Sequence, residues 1–258
     1  MSRKKLNVFQ CETPHRSQCG RGSERLAGMF DQASAGRIQV VIPTKNEAVT
    51  VGEIVTGVRP FAGEILVVDG HSDDGTADVA RSLGVRVIFD HGKGKGEAIR
   101  TVIPYLTREI TVFIDADGSH DPRDIPRLTA PIFAGEADHV SGSRLTGGSS
   151  ELHGGFDECF RLMGSSFITA CINSRFKVRL SESQNGFRAI RTDVLRALDL
   201  REDITTIEQE MIIKTLKKGY RMAEVPAHEY VRKAGYSKIS LNKVAIRYVY
   251  SAVKYLYF

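Results

Sequence analysis

Two carboxylates separated by one residue follow an apolar run near the middle of the chain. Residues 110–114 form the run, and Asp115 and Asp117 come directly after it. Such a run is typical of a buried strand, and open α/β folds bind their ligands at the carboxyl ends of strands. The two carboxylates could hold Mg²⁺ or Mn²⁺ against a diphosphate, or they could simply belong to an Asp-rich turn.

Three more polar loops follow other predicted strands. The predicted strands are residues 38–42, 65–69, 85–89 and 110–114, and the predicted helices are 51–58, 76–83 and 96–106. This alternation predicts an α/β fold with a mostly parallel sheet flanked by helices, in which all strand-end loops share one edge. Together with the loop that carries Asp115 and Asp117, four loops lie at this edge: residues 43–47, 69–76, 91–96 and 115–120.

The loops carry groups that suit a nucleoside diphosphate. Asp69 can accept a hydrogen bond from a base N–H, glycines let the backbone approach phosphates, and Lys95 adds positive charge. The Gly-Lys-Gly-Lys-Gly segment at 92–96 lacks the P-loop pattern, and by itself it could be a solvated turn.

The bulk properties exclude several function classes. The chain has 258 residues, 41% of them hydrophobic, and no run of about 18 apolar residues, so we expect no spanning helix. No apolar stretch follows the basic residues of the N-terminus, so we expect no secretory signal. Four cysteines without metal spacing predict reduced thiols in a cytosolic protein. The net charge of +5 suits an anionic nucleotide, a phosphorylated substrate or an anionic membrane surface. No basic run is interleaved with aromatic residues, so nucleic acid is not an expected partner.

Three segments differ in character along the chain. Residues 1–36 are polar and aperiodic, which predicts a flexible tail, and residues 37–240 are the predicted folded domain. Residues 241–258 predict an amphipathic helix with Lys243, Arg247 and Lys254 on one face. Such a helix could lie on a membrane interface, or it could pack on the domain or on an oligomer partner.

The combination of motifs resembles glycosyltransferase family 2, which has the Rossmann-like GT-A fold. The motifs are Ile-Pro-Thr-Lys-Asn-Glu at 42–47, Val-Val-Asp at 67–69, Ser-x-Asp-Gly-Thr at 72–76, Gly-Lys-Gly-x-Ala-x-Arg at 94–100, Asp-Ala-Asp-x-x-His-x-Pro at 115–122 and Gly-Ser-Arg at 142–144. Segments at 185–189, 219–226 and 232–238 narrow the resemblance to the dolichyl-phosphate mannose synthase branch, over about residues 38–240.

That family uses a nucleotide sugar and a divalent metal, and it inverts the anomeric carbon. The resemblance implies that Asp115 and Asp117 hold Mg²⁺ or Mn²⁺ with Ser119, which stands where the branch often has Gln. It implies nucleotide-binding roles, with Asp69 at the base, for Pro43, Asn46, Glu47, Asp69, Lys95 and Asp115. The sequence also departs from the family pattern at Gly70-His71, where relatives commonly carry Asp-Gly.

The acceptor side is expected at Arg144 and on a helix that carries Arg161 and Ser165. The latter two are four residues apart and share a helix face. An apolar stripe on this helix consists of Phe160, Met163, Phe167 and Cys171. The resemblance implies that Arg144, Arg161 and Ser165 bind the phosphate of a polyprenyl or dolichyl phosphate, with the stripe facing the lipid. The alternative is a core-facing helix with a solvent-exposed Arg.

Catalytic roles are expected for Asp117 and for a Gly-containing segment with Arg232 and Lys238. This segment could close over the diphosphate and stabilise the leaving nucleotide, or it could be an exposed basic loop. Glu208 or Glu210 could act as a general base toward a hydroxyl, whereas a phosphate acceptor needs no base. Acids at a helix start also favour the helix dipole.

Together these expectations describe an inverting, metal-dependent hexosyltransferase at the cytoplasmic face of a membrane. It would move a sugar from GDP-mannose or a UDP-sugar to a polyprenyl or dolichyl phosphate, and it could form oligomers. Two alternatives stay open: the same enzyme with a soluble phosphorylated or natural-product acceptor, and a nucleotide-sugar-binding module without turnover. A nucleotidyltransferase would usually have a Gly-rich basic loop after the first strand, where this chain has Pro-Thr-Lys-Asn-Glu.

Overall fold

The computed structural model describes residues 9–10, 30–150, 156–232 and 241–257, with side chains in 30–150, 162–232 and 247–257. These residues form a single mixed sheet between two layers of helices. The strands are β1 (Phe9–Gln10), β2 (Ile38–Thr44), β3 (Glu64–Asp69), β4 (Arg86–Phe89), β5 (Ile110–Phe113), β6 (His139–Ser143), β7 (Arg188–Arg191) and β8 (Met222–Pro226). Their order is β1-β8-β6-β7-β5-β2-β3-β4, with β7 antiparallel to β5 and β6. The predicted α/β class with a mostly parallel sheet is confirmed.

Helices cover both faces of this sheet. They are α1 (Gln32–Gly36), α2 (Val51–Val58), α3 (Thr76–Ser82), α4 (Lys95–Val102), α5 (Ile125–Phe133), α6 (Arg144–Gly147), α7 (Phe156–Phe176), α8 (Thr192–Ala197), α9 (Ile207–Lys217) and α10 (Leu241–Tyr257). Helices α2, α3 and α5 contribute to the core on one face, and α4, α8 and α9 to the core on the other. The carboxyl ends of the parallel strands are left open between these layers.

The alternation within β2 shows why its sequence is apolar at successive positions. Val40 and Ile42 pack with Val55 of α2 on one face, whereas Val41 packs with Ile99 of α4 on the other. A strand buried on both faces needs apolar side chains in both registers, which gives the continuous run typical of parallel sheets.

Strand β2 does not end at Pro43, as the sequence predicted, but continues to Thr44. The Val41 carbonyl accepts from the Ile114 N–H on the β5 side, so Pro43 faces the same side two residues later. The pairing of β2 with β5 ends at Val41 and Phe113. The missing N–H of Pro43 therefore costs no hydrogen bond, and the strand carries the chain further into the strand-end crevice.

Two parts of the predicted tail have regular structure. Residues Phe9–Gln10 pair in parallel with β8, and Gln32–Gly36 form α1, in which Asp31 caps the first turn by accepting from the Ser34 N–H at 2.8 Å. Phe30 packs edge-on against Phe61 and Phe133, with ring centroids 5.9 and 6.5 Å away. The rest of the predicted tail lies outside the described residues, and the domain boundaries at 36 and 240 stay predictions.

Helices α7 and α10 pack on α9 and form a further hydrophobic cluster with it. Its buried side chains are Ile168, Ile172, Ile212, Ala252, Tyr255 and Leu256. The C-terminal amphipathic helix thus packs on the domain, as one of its predicted alternatives had it. Within the described residues, no helix combines the length and the apolar character that crossing a membrane requires.

Candidate active site

A cavity of about 200 Å³ opens at the carboxyl ends of β2 to β5. Three of the predicted nucleotide-binding residues line it, namely Pro43, Lys95 and Asp115. Its other walls come from the last residue of β2, from the loops that follow β2, β3 and β4, and from α4: Thr44, Lys45, Gly70, Asp90, Gly92, Gly94 and Ala98. The structure therefore brings the predicted strand-end loops together around one space.

Lys95 lies between two carboxylates at one end of the cavity. Its Nζ is 2.6 and 2.8 Å from the two oxygens of Asp115 and 2.8 Å from Glu208 Oε1. Burial alone would lower the pKa of Lys95, but the two carboxylates outweigh burial and raise it. Burial likewise opposes ionisation of Asp115, yet Lys95 lowers the pKa of that carboxyl. We call Lys95, Asp115 and Glu208 the lysine triad.

Gly186 makes room for this triad. A Cβ at this position would collide with Lys95 Nζ and lie 2.5 Å from Asp115 Oδ2. The next residues fix the same segment, because the buried Arg188 donates to the backbone carbonyls of Asn185 and of Glu208. The segment at 185–189 was noted in the sequence only as a family motif. Its role in positioning the triad depends on contacts between distant parts of the chain.

Asp117 lies beside the triad and is tied to its own loop. Its Oδ1 accepts from the Ser119 N–H at 3.0 Å, and its Oδ2 is 3.3 Å from Arg232 Nε. The Ser119 hydroxyl is 3.0 Å from His120 Nδ1. Among the described residues nothing bonds to the buried Nε2 of His120, whose pKa is lowered by burial against the pull of Asp115 and Asp117.

Asp115 and Asp117 fit a divalent cation by their chemistry. Carboxylate oxygens suit Mg²⁺ and Mn²⁺, which commonly complete their coordination with phosphate oxygens and water. In the described part of the chain, no group of three or more His, Cys, Asp or Glu side chains forms a complete metal cage. Asp115 and Asp117 alone would leave most coordination positions of such a cation to other ligands.

Asp69 and Asn46 organise the loops rather than line the cavity, whereas burial and the nearby Asp117 raise the pKa of the Glu47 carboxyl. Asp69 is fully buried, and its two oxygens accept from the Ser72 N–H at 2.8 Å and the Thr44 hydroxyl at 3.2 Å. Asn46 has a positive φ of 61° and its N–H donates to Ser72 Oγ at 2.8 Å. The loop after β2 is thereby fixed to the loop after β3.

A second cation lies between two carboxylates on the predicted acceptor side. The Arg144 guanidinium is 2.7 Å from Glu182 Oε1 and 2.8 Å from Glu229 Oε1. The contact with Glu182 Oε1 is an ion pair without hydrogen-bond alignment. Burial raises the pKa of Glu182 to about 7, against the opposing effect of Arg144. We call Arg144, Glu182 and Glu229 the arginine triad, which sequence reasoning did not foresee.

The helix of the other predicted acceptor residues is α7. Ser165 is half-buried, and the Arg161 and Phe160 side chains lie outside the described residues, as does Lys238. Met163 and Phe167 are 54% and 65% exposed, whereas Ile168 and Ile172 form the buried face. Cys171 packs partly buried against that face. Two members of the predicted apolar stripe thus face outward, which argues against the core-facing alternative for them.

The comparisons with known proteins agree with this geometry. Residues 39–198 match the family described as Glycosyl transferase family 2. An undecaprenyl-phosphate mannosyltransferase of Micrococcus luteus is 32% identical over 222 residues, which cover 79% of this chain and 88% of the relative. A dolichyl-phosphate hexose transferase of Haloferax volcanii is 29% identical, with 78% and 86% covered. The glycosyltransferase AglJ of the same organism is 28% identical, and the match spans 76% of this chain but 64% of that relative.

A solved structure supports the fold. Glucosyl-3-phosphoglycerate synthase from Mycobacterium tuberculosis, in complex with Mn²⁺, UDP and phosphoglyceric acid, superimposes with a TM-score of 0.70 at 21% identity, covering 90% of this chain and 83% of that one. The resemblance noted in the sequence is confirmed by the family match, and the predicted enzyme class with it. The chain belongs to glycosyl transferase family 2 and is a glycosyltransferase with the GT-A fold.

Proposed function

We propose that the chain transfers a sugar from a nucleotide diphosphate sugar to a polyprenyl or dolichyl phosphate, with inversion at the anomeric carbon. The observation that carries the proposal is the cavity that ends at Lys95 and Asp115, with the Asp117–Arg232 pair beside it. Lys95 and Arg232, together with a divalent cation on the carboxylates, would balance the charge of a diphosphate at this end. The printed names of the relatives from Micrococcus luteus and Haloferax volcanii support the lipid phosphate acceptor.

We assign the divalent cation, Mg²⁺ or Mn²⁺, to Asp115 and Asp117, with Ser119 as a ligand through water. The Mn²⁺–UDP complex of the Mycobacterium tuberculosis structure supports this choice. The cation would offset the negative charge of the donor diphosphate. Lys95 and Arg232 pair with the two carboxylates in the free chain. In the complex they would supply positive charge to the departing diphosphate, together with Lys238.

An oxygen of the acceptor phosphate would attack the anomeric carbon as the bond to the donor diphosphate breaks. The acceptor is already an anion near neutral pH, so this step needs no general base. We assign binding of that phosphate to Arg161 and Ser165 on α7. Arg144 would contribute by holding Glu182 and Glu229 in place, because both sides of its guanidinium are in ion pairs.

Exposed apolar side chains support action at a membrane surface, which we place on the cytoplasmic side. They occur on the two neighbouring helices α7 and α10: Met163, Phe167, Val249, Tyr250, Val253 and Tyr257. Arg247 and Lys254 add positive charge to α10. Aromatic and aliphatic side chains next to cations are the composition of a surface that lies at a lipid headgroup layer.

The test is product formation with a panel of GDP- and UDP-sugars, Mn²⁺ or Mg²⁺, and a short polyprenyl phosphate in detergent. We expect one donor to give an organic-extractable glycolipid. Product with 3-phosphoglycerate and none with the lipid would instead support a soluble phosphorylated acceptor, which the phosphoglyceric acid in the related structure makes the second candidate. Donor binding without transfer to any acceptor would contradict the proposal and favour a binding module.

A further inference from the structure

A buried carboxylate without a role in the proposed mechanism lies on the cavity wall. Asp90 directly follows β4, is 5% exposed and lines the cavity. The strand order β5-β2-β3-β4 separates the ends of β5 and β4 by three strand spacings, about 14 Å. Asp115 follows β5, so Asp90 is at the other end of the row of loops. A nucleoside diphosphate with its phosphates at Asp115 would extend its base toward Asp90.

Asp90 is held so that one of its carboxylate oxygens stays available. Its N–H donates to the Asp69 carbonyl at 3.2 Å, and its own carbonyl is 2.7 Å from His71 Nε2. Its Oδ1 accepts from the Gly92 N–H at 2.6 Å. Among the described residues no donor bonds to Oδ2, which lies close to Gly70, another residue of the cavity wall. The result is one oriented acceptor in a buried setting.

Asp69 lacks this property, although the sequence made it the candidate for contact with the base. It is completely buried, it does not line the cavity, and both of its oxygens are bonded within the protein. A base could reach Asp69 only by breaking the hydrogen bonds from Ser72 or Thr44, which hold the loops around the cavity. His71, one of the two departures from the family pattern, is also accounted for because its ring holds the Asp90 carbonyl.

We infer that Asp90, rather than Asp69, reads the base of the nucleotide, and that the site takes uracil or guanine and rejects cytosine and adenine. This inference rests on the proposed function. Uracil N3–H and guanine N1–H are donors that can bond to a carboxylate oxygen. Cytosine N3 and adenine N1 carry lone pairs at the corresponding ring position and would leave that oxygen unpaired. A buried acceptor without a donor is costly, which is how such sites discriminate.

The test is calorimetric binding of UDP, GDP, CDP and ADP in the presence of Mn²⁺. We expect the wild type to bind UDP or GDP at least about tenfold more tightly than CDP and ADP, as for a hydrogen bond to a charged group. In Asp90→Asn, the amide can donate to cytosine N3. The preference for UDP over CDP should therefore shrink about tenfold or invert.

Two matched variants separate base reading from loop disruption. Asp69→Asn should weaken all four nucleotides by a similar factor, because it loosens the loops without touching the base. Asp78→Asn, at an exposed carboxylate on α3, should change nothing. Melting curves verify that each variant is folded. If Asp90→Asn does not fold, Asp90→Ser replaces it. For Asp90→Ser we expect the preference for UDP over CDP to be lost rather than inverted.

The outcomes separate the inference from the proposed function. An unchanged UDP to CDP ratio in folded Asp90 variants overturns the inference but leaves nucleotide binding intact. A ratio that changes in Asp69→Asn and not in Asp90→Asn returns base reading to Asp69. If the wild type binds no nucleoside diphosphate in Mn²⁺, the proposed function fails, and the inference fails with it.

Discussion

The lysine triad and the arginine triad each place one cation between two carboxylates, yet they respond differently to burial. In the lysine triad, burial opposes ionisation of Asp115, but the pKa of that carboxyl still falls because Lys95 contacts both of its oxygens. In the arginine triad, burial of Glu182 dominates, and its pKa rises to about 7. Arg144 also forms an ion pair with Glu229, and the negative charge of Glu229 raises the pKa of Glu182 further. The same charge pattern thus gives one group that stays ionised and one that titrates near neutrality.

The largest effect on the lysine-triad side is expected for Asp117→Asn. The substitution keeps the size of the side chain but removes a charge proposed to hold the metal, and we expect transfer to fall by about 10² to 10³-fold. Initial rates at saturating donor and several Mn²⁺ concentrations measure the loss. Asp78→Asn is the control. Full activity of Asp117→Asn in excess metal would remove this carboxylate from the mechanism.

Glu182→Gln tests the arginine triad through the pH dependence of stability. Because the pKa of Glu182 is about 7 in the folded chain and 4.5 in the unfolded reference, the unfolded chain loses its proton first as pH rises. Glu182 therefore stabilises the fold most below pH 4.5. Its contribution to the free energy of unfolding falls by about 3 kcal/mol between pH 4.5 and about 7, and it is constant above that range.

The measurement for Glu182 is urea unfolding of the wild type and Glu182→Gln across the same pH range. The difference between their free energies of unfolding should change through the window and become constant above it. Parallel curves at every pH would mean that Glu182 ionises normally, and the contrast between the two triads would disappear.

Gly186→Ala should disturb the lysine triad without changing any charge. The added methyl group collides with Lys95 and Asp115, and overpacking of this kind typically lowers the free energy of unfolding by about 1–3 kcal/mol. We expect weaker binding of UDP or GDP with Mn²⁺ by calorimetry and a lower melting temperature. Gly164→Ala is the control, because nothing lies within 4 Å of its added Cβ. Equal behaviour of the two variants would show that the triad adapts freely.

The smallest expected effect belongs to the exposed apolar surface beside the arginine-triad side of the molecule. The double substitution of Met163 and Phe167 by Ser should weaken binding to anionic lipid vesicles by about tenfold, since less apolar area is buried on contact. Nucleotide binding should not change. Val49→Ser, at a residue that is 82% exposed on the loop after β2, is the control. Equal vesicle binding by all three proteins would exclude α7 from the membrane contact.

Local sequence patterns predicted the strands and the residues at their ends. The runs at β2, β3 and β5 are apolar because both faces of the sheet are covered, and their ends carry Pro43, Asp69 and Asp115 as expected. The position of Lys95 next to Asp115 also agrees with two loops that share one sheet edge. The sequence alone therefore predicted the fold class and the proximity of these loops.

The sequence did not predict which distant residues these side chains contact. Lys95 and Glu208 are 113 residues apart, and no spacing rule connects them. The requirement for Gly186 likewise arises from distant residues, because its added Cβ would collide with Lys95 and Asp115. On α7, Met163–Phe167 and Ile168–Ile172 have the same four-residue spacing, so periodicity alone could not tell the exposed face from the buried one. Asp69 ends its strand as expected, but only the three-dimensional contacts show that both its oxygens are bonded.

The insertion of β7 between β5 and β6 has a consequence for the order in which the chain can acquire its structure during synthesis. Strand β6 has no partner in the β5-β2-β3-β4 half of the sheet, and it reaches that half only through β7. Hydrogen bonding between the two halves of the sheet therefore has to wait until residues 188–191 have left the ribosome. Glu208 emerges later still, so the ion pair between Lys95 and Glu208 can form only after β7 has been synthesised.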